Sequence, residues 1–209
     1  MKSANKRFLF DQNIRFSESV NLISGSDEVG RGAMAGPVVV ASIILPSDYD
    51  NERIKDSKLL SSKQRDSLYQ ELVNIAIDYK ISIIDHSEVD RINPKQASCK
   101  GMIETISQLE IVPQLALTDG ERVTVPGVRN LAIIKGDNLS QTIGAASILA
   151  KVTRDEIMLE YAKRYPEYQF DKHKGYCTIA HQKLVKELGV LPIHRKTYKP
   201  IIKILKEGH

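Results

Sequence analysis

The stretch 24-SGSDEVGRGAMAGPVVVASIIL-45 decides the fold. Leu22 to Val29 and Pro37 to Leu45 are rich in β-branched residues and bounded by Gly and Pro, so both read as strands. The corner between them, residues 30–36, carries three glycines and one arginine and joins two antiparallel strands. Asp27 and Glu28 lie side by side next to this apolar run. They repel each other, and burying either one without a partner is expensive.

The rest of the chain alternates strands and helices. Ser61 and Gln64 have capping-box spacing and open a helix with Leu68, Leu72 and Ile75 on one face. Tyr79 to Ile84 is expected as a strand. Asn93-Pro94 starts a helix with a cap followed by proline in the first turn. Gln114 to Thr118 and Leu131 to Lys135 are short strands, ending in Asp119-Gly120 and Gly136-Asp137. A long helix is expected from about Ser140 to Tyr161, with Gly144-Ala145-Ala146-Ser147 small enough to lie close against a sheet. Thr178 to Leu188 is a further helix, closed by Gly189. The order predicts an α/β domain with a mixed five-stranded sheet flanked by helices, plus a helical C-terminal appendage. The expected division is an N-terminal extension over 1–20, a catalytic domain over 21–165, and a basic appendage over 166–209 packed on it.

A chain of 209 residues is long enough for one sizeable core. No apolar run reaches membrane-spanning length, and the first 20 residues lack a continuous apolar signal region. Cys99 and Cys177 have no CxxC spacing, which disfavours a disulfide framework or a zinc site and fits a reducing cytosol. Charge is uneven: Asp171 to Lys206 holds nine Lys/Arg against two acids, whereas residues 1–170 hold 21 against 23. Such a basic face suits a phosphate backbone, although charge alone favours a solvated lysine-rich tail.

Ligand sites in open α/β sheets collect at the carboxyl ends of parallel strands. If the strands bearing Asp119 and Asp137 neighbour the Asp27 strand, then Asp27, Glu28, Asp119 and Asp137 converge. Hard divalent cations, Mg²⁺ or Mn²⁺, relieve the repulsion of such a cluster. Two such ions can clamp the attacking and leaving oxygens of a phosphoryl displacement. Gly30, Gly32 and Gly36 do not make a dinucleotide fingerprint, because a strand follows them and the spacing is GxGxxxG. Their amides suit a closely approaching sugar–phosphate, with Arg31 adding charge.

The motifs DEVGRG, Asp56-Ser57-Lys58, TDG, KGD, AASILAKVTRD (145–155), HKGY (173–176) and HRKTY (194–198) resemble, in that order, those of bacterial ribonuclease HII. The resemblance spans roughly Leu22 to Pro200. It implies the ribonuclease H-like fold and an endonuclease that cuts the RNA strand of RNA·DNA hybrids. It further implies nicking on the 5′ side of a single ribonucleotide in duplex DNA, leaving 3′-hydroxyl and 5′-phosphate ends. By match of motif, Asp27, Glu28, Asp119 and Asp137 carry two Mn²⁺ or Mg²⁺ ions, with Asp27 bridging. Gly30-Arg31-Gly32 then contacts the ribonucleotide 2′-hydroxyl, and Tyr176 packs on the next sugar. Lys58, Ser147 and Lys151 become candidates for phosphate contact, and the tail cations, Arg195 and Lys196 among them, for tracking the duplex. His173, His181 and His194 are expected to have surface or structural roles rather than to be metal ligands.

Ala33, Leu59, Cys177 and Thr197-Tyr198 depart from the family's commoner Pro, Lys, Pro and Ser-Phe. Leu59 is expected to weaken a phosphate contact and Cys177 to loosen the loop holding Tyr176. A monomer is expected, since no motif calls for a dimer, and a clamp partner is left open. Ribonuclease HIII, the nearest enzymatic rival, usually carries an N-terminal substrate-binding domain and lacks the arginine; here about 20 residues precede the first strand and Arg31 is present. A non-catalytic hybrid-binding module would require a broken acidic cluster.

Overall fold

A computed structural model describes residues 5–54 and 60–207. The strands β1 (Ile23–Val29), β2 (Val38–Ile44), β3 (Asp78–Ile84), β4 (Leu115–Asp119) and β5 (Arg129–Ile133) form one five-stranded sheet in the order β3-β2-β1-β4-β5. β2 pairs antiparallel with both β1 and β3, whereas β1–β4 and β4–β5 are parallel. The sheet is therefore mixed, as expected, and its parallel half carries the acids.

All seven residues of β2 are buried because helices cover both sheet faces. Val39, Ala41 and Ile43 pack with α2 (Ser62–Ile75) and α6 (Gln141–Arg164); Val38 and Val40 pack towards α4 (Pro94–Gln108). The expected capping box is formed: Ser61 N–H donates to Gln64 Oε1 (2.9 Å) and Gln64 N–H to Ser61 Oγ (3.3 Å). Asn93 caps α4, its Oδ1 accepting from Gln96 N–H at 3.1 Å. The close approach of α6 depends on Gly25 of β1, where a Cβ would stand 2.4 Å from the carbonyl carbon of Thr142.

Three features differ from the sequence-based expectation. The N-terminal segment forms a helix, α1 (Lys6–Glu18), built into the domain. Its Asp11 accepts from Thr142 N–H (2.8 Å) and Oγ1–H (2.7 Å), satisfying the first turn of α6. A short helix α3 (His86–Ile92) precedes α4. β5 ends at Ile133, and Asp137 sits in the first turn of a short helix, α5 (Gly136–Leu139), rather than closing the strand.

Beyond α6 come α7 (Phe170–His173), α8 (Ile179–Leu188) and α9 (Lys199–Glu207). Tyr168, Phe170, Val185, Ile193 and Ile201 share a core with Met34 and Ala35 of the glycine corner and Met158 of α6. The basic appendage is thereby packed beside the acids. Among the described residues no helix is long and apolar enough to cross a membrane.

Candidate active site

β1 and β4 run parallel with Ser26 opposite Thr118, so Asp27 and Asp119 leave the carboxyl edge side by side. The amide of Gly136, at the start of α5, donates to Asp119 Oδ1 at 2.6 Å and brings Asp137 to the same edge. Asp27, Glu28, Asp119 and Asp137 line one cleft of about 360 Å³ with Gly30, Arg31, Ser147, Lys151 and Tyr176. Nine of the thirteen residues expected at the site thus meet there. Lys58 lies outside the described residues.

Successive strand residues point to opposite faces. Asp27 turns towards α6, where the Ser147 hydroxyl bonds it, and Glu28 turns towards Arg31 on the other face. Asp27 is 5% exposed; burial, then the charges of Glu28 and Asp119, push its carboxyl well above the usual range. Burial pushes Glu28 up to about 7, although Arg31 Nη1, 3.2 Å from Glu28 Oε1, pulls the other way. Glu28 Oε2 is buried without a hydrogen-bond partner among the described residues. A carboxylate oxygen left bare among acids is a hard anionic ligand suited to Mg²⁺ or Mn²⁺. Among the described residues no three His, Cys, Asp or Glu side chains stand together as a ready-made metal site; the four acids line a shared cleft.

The glycine corner is held from behind. Arg154, fully buried, donates to the carbonyls of Pro37 (2.9 Å), Ala35 (3.1 Å) and Lys174 (2.9 Å). Arg195, equally buried, donates to Gly36 O through Nε (3.0 Å) and Nη2 (2.8 Å), and to Arg31 O through Nη1 (3.1 Å). This corrects the expectation that Arg195 tracks a duplex: its guanidinium faces inward and fixes the loop. Lys196 is exposed, and its amide bonds Asp90 Oδ2 at 2.5 Å. Two tail lysines, Lys186 and Lys203, pair with Glu207 at 2.8 and 3.7 Å, which neutralises part of the appendage's charge.

Gly30 has φ +105°, and a Cβ there would meet Arg154 Nε at 2.3 Å, so the fold demands glycine. Gly32 is exposed, its φ is not in the left-handed region, and among the described residues beyond its chain neighbours no atom lies within 4 Å of where a Cβ would stand. Nothing among the described residues requires glycine at that position. Tyr176 forms a bridge with Ala33, and its ring lies 5.0 Å from the Arg154 guanidinium carbon and 5.9 Å from Lys151 Nζ. Lys151 is itself tied to Asp155 at 2.6 Å. Cys177 is exposed beside Tyr176. Tyr198 donates its hydroxyl to Arg31 O at 2.5 Å.

Sequence reasoning missed Glu121 and Lys95. Glu121 Oε1 lies 3.4 Å from Arg31 Nη1 and its Oε2 3.1 Å from Lys95 Nζ, extending the ion pair of Glu28. Glu121 directly follows Asp119-Gly120, and that adjacency was the available signal.

A mixed sheet in this order, with acids gathered at the carboxyl edge of its parallel strands, defines a protein of the ribonuclease H-like fold. The family model for Ribonuclease HII matches residues 24–201. The chain is 51% identical over 199 residues to ribonuclease HII of Mycoplasma capricolum subsp. capricolum, covering 95% of this chain and 96% of that one. Its structure is similar to that of ribonuclease H2 from Pyrococcus horikoshii OT3, with a TM-score of 0.79 at 25% identity over 89% of this chain and 98% of that one. Bst-RNase HIII, solved in complex with Mn²⁺, shares the fold with a TM-score of 0.67 at 16% identity, over 89% of this chain and 70% of that one. The chain belongs to the ribonuclease HII family and is a ribonuclease H, a nuclease of the hydrolase class.

Proposed function

We propose that this cleft hydrolyses the RNA strand of RNA·DNA hybrids and nicks duplex DNA on the 5′ side of a single embedded ribonucleotide, leaving 3′-hydroxyl and 5′-phosphate ends. The observation that carries the reading is the shared lining of the cleft: four acids, the glycine corner with Arg31, and Tyr176. Asp27, Glu28, Asp119 and Asp137 would hold two divalent ions, Mg²⁺ or Mn²⁺, with Asp27 as the bridge. Such ions would lower the pKa of a water and neutralise charge on the leaving oxygen. The bare Oε2 of Glu28 and the raised pKa of Asp27 support that use, since a nearby cation favours the ionised forms.

Ser147 holds Asp27 in orientation through its hydroxyl. The open space before Gly32 lets a sugar approach the backbone of the corner, where the 2′-hydroxyl distinguishes RNA from DNA. Arg31 reads phosphate or sugar from its seat between Glu28 and Glu121. Tyr176 packs on the following deoxyribose, and Lys151, Lys196 and the exposed tail lysines contact phosphates.

The test is a nicking assay on a duplex with one ribonucleotide, with Mg²⁺ or Mn²⁺ and with chelator. Cutting 5′ of the ribonucleotide with metal, none with chelator, and an intact all-DNA duplex are expected. An Asp137→Asn variant is expected to bind the duplex and fail to cut it; undiminished cutting by that variant would overturn the metal assignment. Tyr176→Ala is expected to lose more activity on the single-ribonucleotide duplex than on a long hybrid. Equal losses would remove Tyr176 from that role.

A further inference from the structure

Away from the acids, three titratable rings are packed together under the Tyr176 loop. His173 and His181 stack with centroids 4.0 Å apart, His194 lies 5.3 Å from His181, and Phe170 meets the first two edge-on. His181 and His194 are 0% and 1% exposed.

Their hydrogen bonds fix the tautomers. Leu191 N–H donates to His194 Nδ1 at 2.9 Å, so the His194 proton is on Nε2. That nitrogen lies 3.1 Å from His181 Nε2, which must therefore accept. The His181 proton is then on Nδ1, which donates to Tyr176 O at 2.9 Å. His173 Nδ1 accepts from Gly175 N–H at 3.2 Å, leaving Nε2–H to donate to Tyr168 O at 2.8 Å. Each ring uses one donor and one acceptor. A second proton on His181 or His194 would set two donors against each other, either between the rings or against Leu191 N–H.

The segment gripped by this chain of bonds also grips the site. Gly175 O accepts from Met34 N–H (2.9 Å) and Ala35 N–H (3.2 Å) of the glycine corner. We propose that His181 and His194 form a neutral relay of fixed direction, Leu191 N–H to His194 to His181 to Tyr176 O, and that both are positioning residues setting the Tyr176 ring over the cleft. The proposal rests on the reading of Tyr176 as the sugar-contacting residue. The surroundings keep the relay neutral. Burial lowers His181 to about 3 and His194 to about 4, and the rings disfavour charge on one another. The other titratable groups facing them are His86 near His194, Asp171 and Lys174 near His173, and the Tyr168 and Tyr176 loop itself.

Two measurements test it. In the unaltered protein, ring ¹⁵N–¹H correlation spectra should show His194 protonated on Nε2 and His181 on Nδ1, both unchanged from pH 8 to 5. Opposite tautomers, or titration of either ring near 6.5, would overturn the relay. The second is the ratio of kcat/KM on the single-ribonucleotide duplex to that on a long hybrid. His181→Phe keeps the stack and loses both bonds, so the ratio should fall about tenfold, the equivalent of one hydrogen bond. His181→Asn keeps a donor near Tyr176 O and should recover most of it. If His181→Phe does not fold, His194→Gln, which keeps the donor to His181 but not the acceptor for Leu191, should lower the ratio in the same direction. A parental ratio in the folded variant refutes the positioning role. If Tyr176→Ala lowers the ratio while His181→Phe does not, the relay alone fails; if Tyr176→Ala leaves the ratio unchanged, the Tyr176 reading fails first.

Discussion

Gly25 is the residue on which the distance between sheet and long helix depends, although it belongs to no motif. An added Cβ would stand 2.4 Å from Thr142 C and 2.5 Å from both Thr142 O and Ile143 N. Ordinary carbon contacts lie at about 3.5–4.0 Å, so α6 must retreat from β1 by about 1 Å. The obstruction is helix backbone, and no side-chain rotamer can relieve it. Overpacking of this kind costs about 3 kcal/mol, the upper part of the usual range. In a chain of this size that lowers Tm by about 6–12 °C.

The same retreat pulls Ser147, one turn further along α6, away from Asp27. Cleavage by Gly25→Ala well below its melting transition should therefore fall through kcat with little change in KM. Ser24→Ala is the control at the neighbouring position, on the opposite face. Ser24 Oγ is buried without a hydrogen-bond partner among the described residues, so its removal should leave stability unchanged or raise it. Scanning calorimetry and single-turnover kinetics on the two variants decide the matter. A Gly25→Ala protein melting within about 2 °C of the parent would refute the close-approach reasoning.

Gly32→Ala should melt with the parent and bind a ribonucleotide-containing duplex more weakly, because the space beside Gly32 is open in the protein; fluorescence anisotropy beside a thermal melt checks both halves. Arg195→Met should lose about 3 kcal/mol in a urea titration, having abandoned three carbonyl contacts, and should leave the salt dependence of duplex binding unchanged. Lys196→Ala should do the reverse, with a salt slope smaller by about one and no loss of stability. Tyr198→Phe gives up its bonds to Arg31 O and Arg195 Nη1 and should cost about 1 kcal/mol by the same titration. The pKa of His181 is lowered on folding, so its stabilisation is present above the unfolded value of about 6.5 and is lost as pH falls towards the folded value of about 3. The stability advantage of the parent over His181→Phe should therefore shrink by about 2 kcal/mol between pH 7.5 and 5, read from denaturant midpoints at each pH.

The strands around the acids were readable because both neighbouring signals are local. β-Branched runs ending at Gly or Pro place β1 and β2 within a residue of the expected ends, and Ser61–Gln64 places the start of α2. β5 begins two residues early because its register is set by β4, with Arg129 opposite Leu115, and not by its own composition. Helix α1 was unreadable for a related reason. Its apolar face is short, and its anchor, Asp11, has meaning only once Thr142 lies opposite it. In the site, the acids and the glycine corner announce themselves by residue type. Arg195 does not: a cation in a basic tail reads as a solvent-facing charge until the carbonyls of Gly36 and Arg31 are seen around it.

The adjacency of Asp27 and Glu28 is tolerated first by backbone geometry. On a pleated strand two successive carboxylates face opposite sides, so each meets its own environment: Ser147 on α6 for Asp27, and Arg31 with Glu121 beyond it for Glu28. The pair can then serve the same cleft only where the strand ends and its two faces meet around the edge. β1 ends at Val29, one residue after Glu28, and the glycine corner turns away immediately. Moving the two acids two residues earlier on β1 would leave one beneath α6 and the other beneath α4, with no shared space. The position of the acids at the strand's end, as much as their chemistry, is what gathers them into one cleft, the one proposed here as the nuclease site.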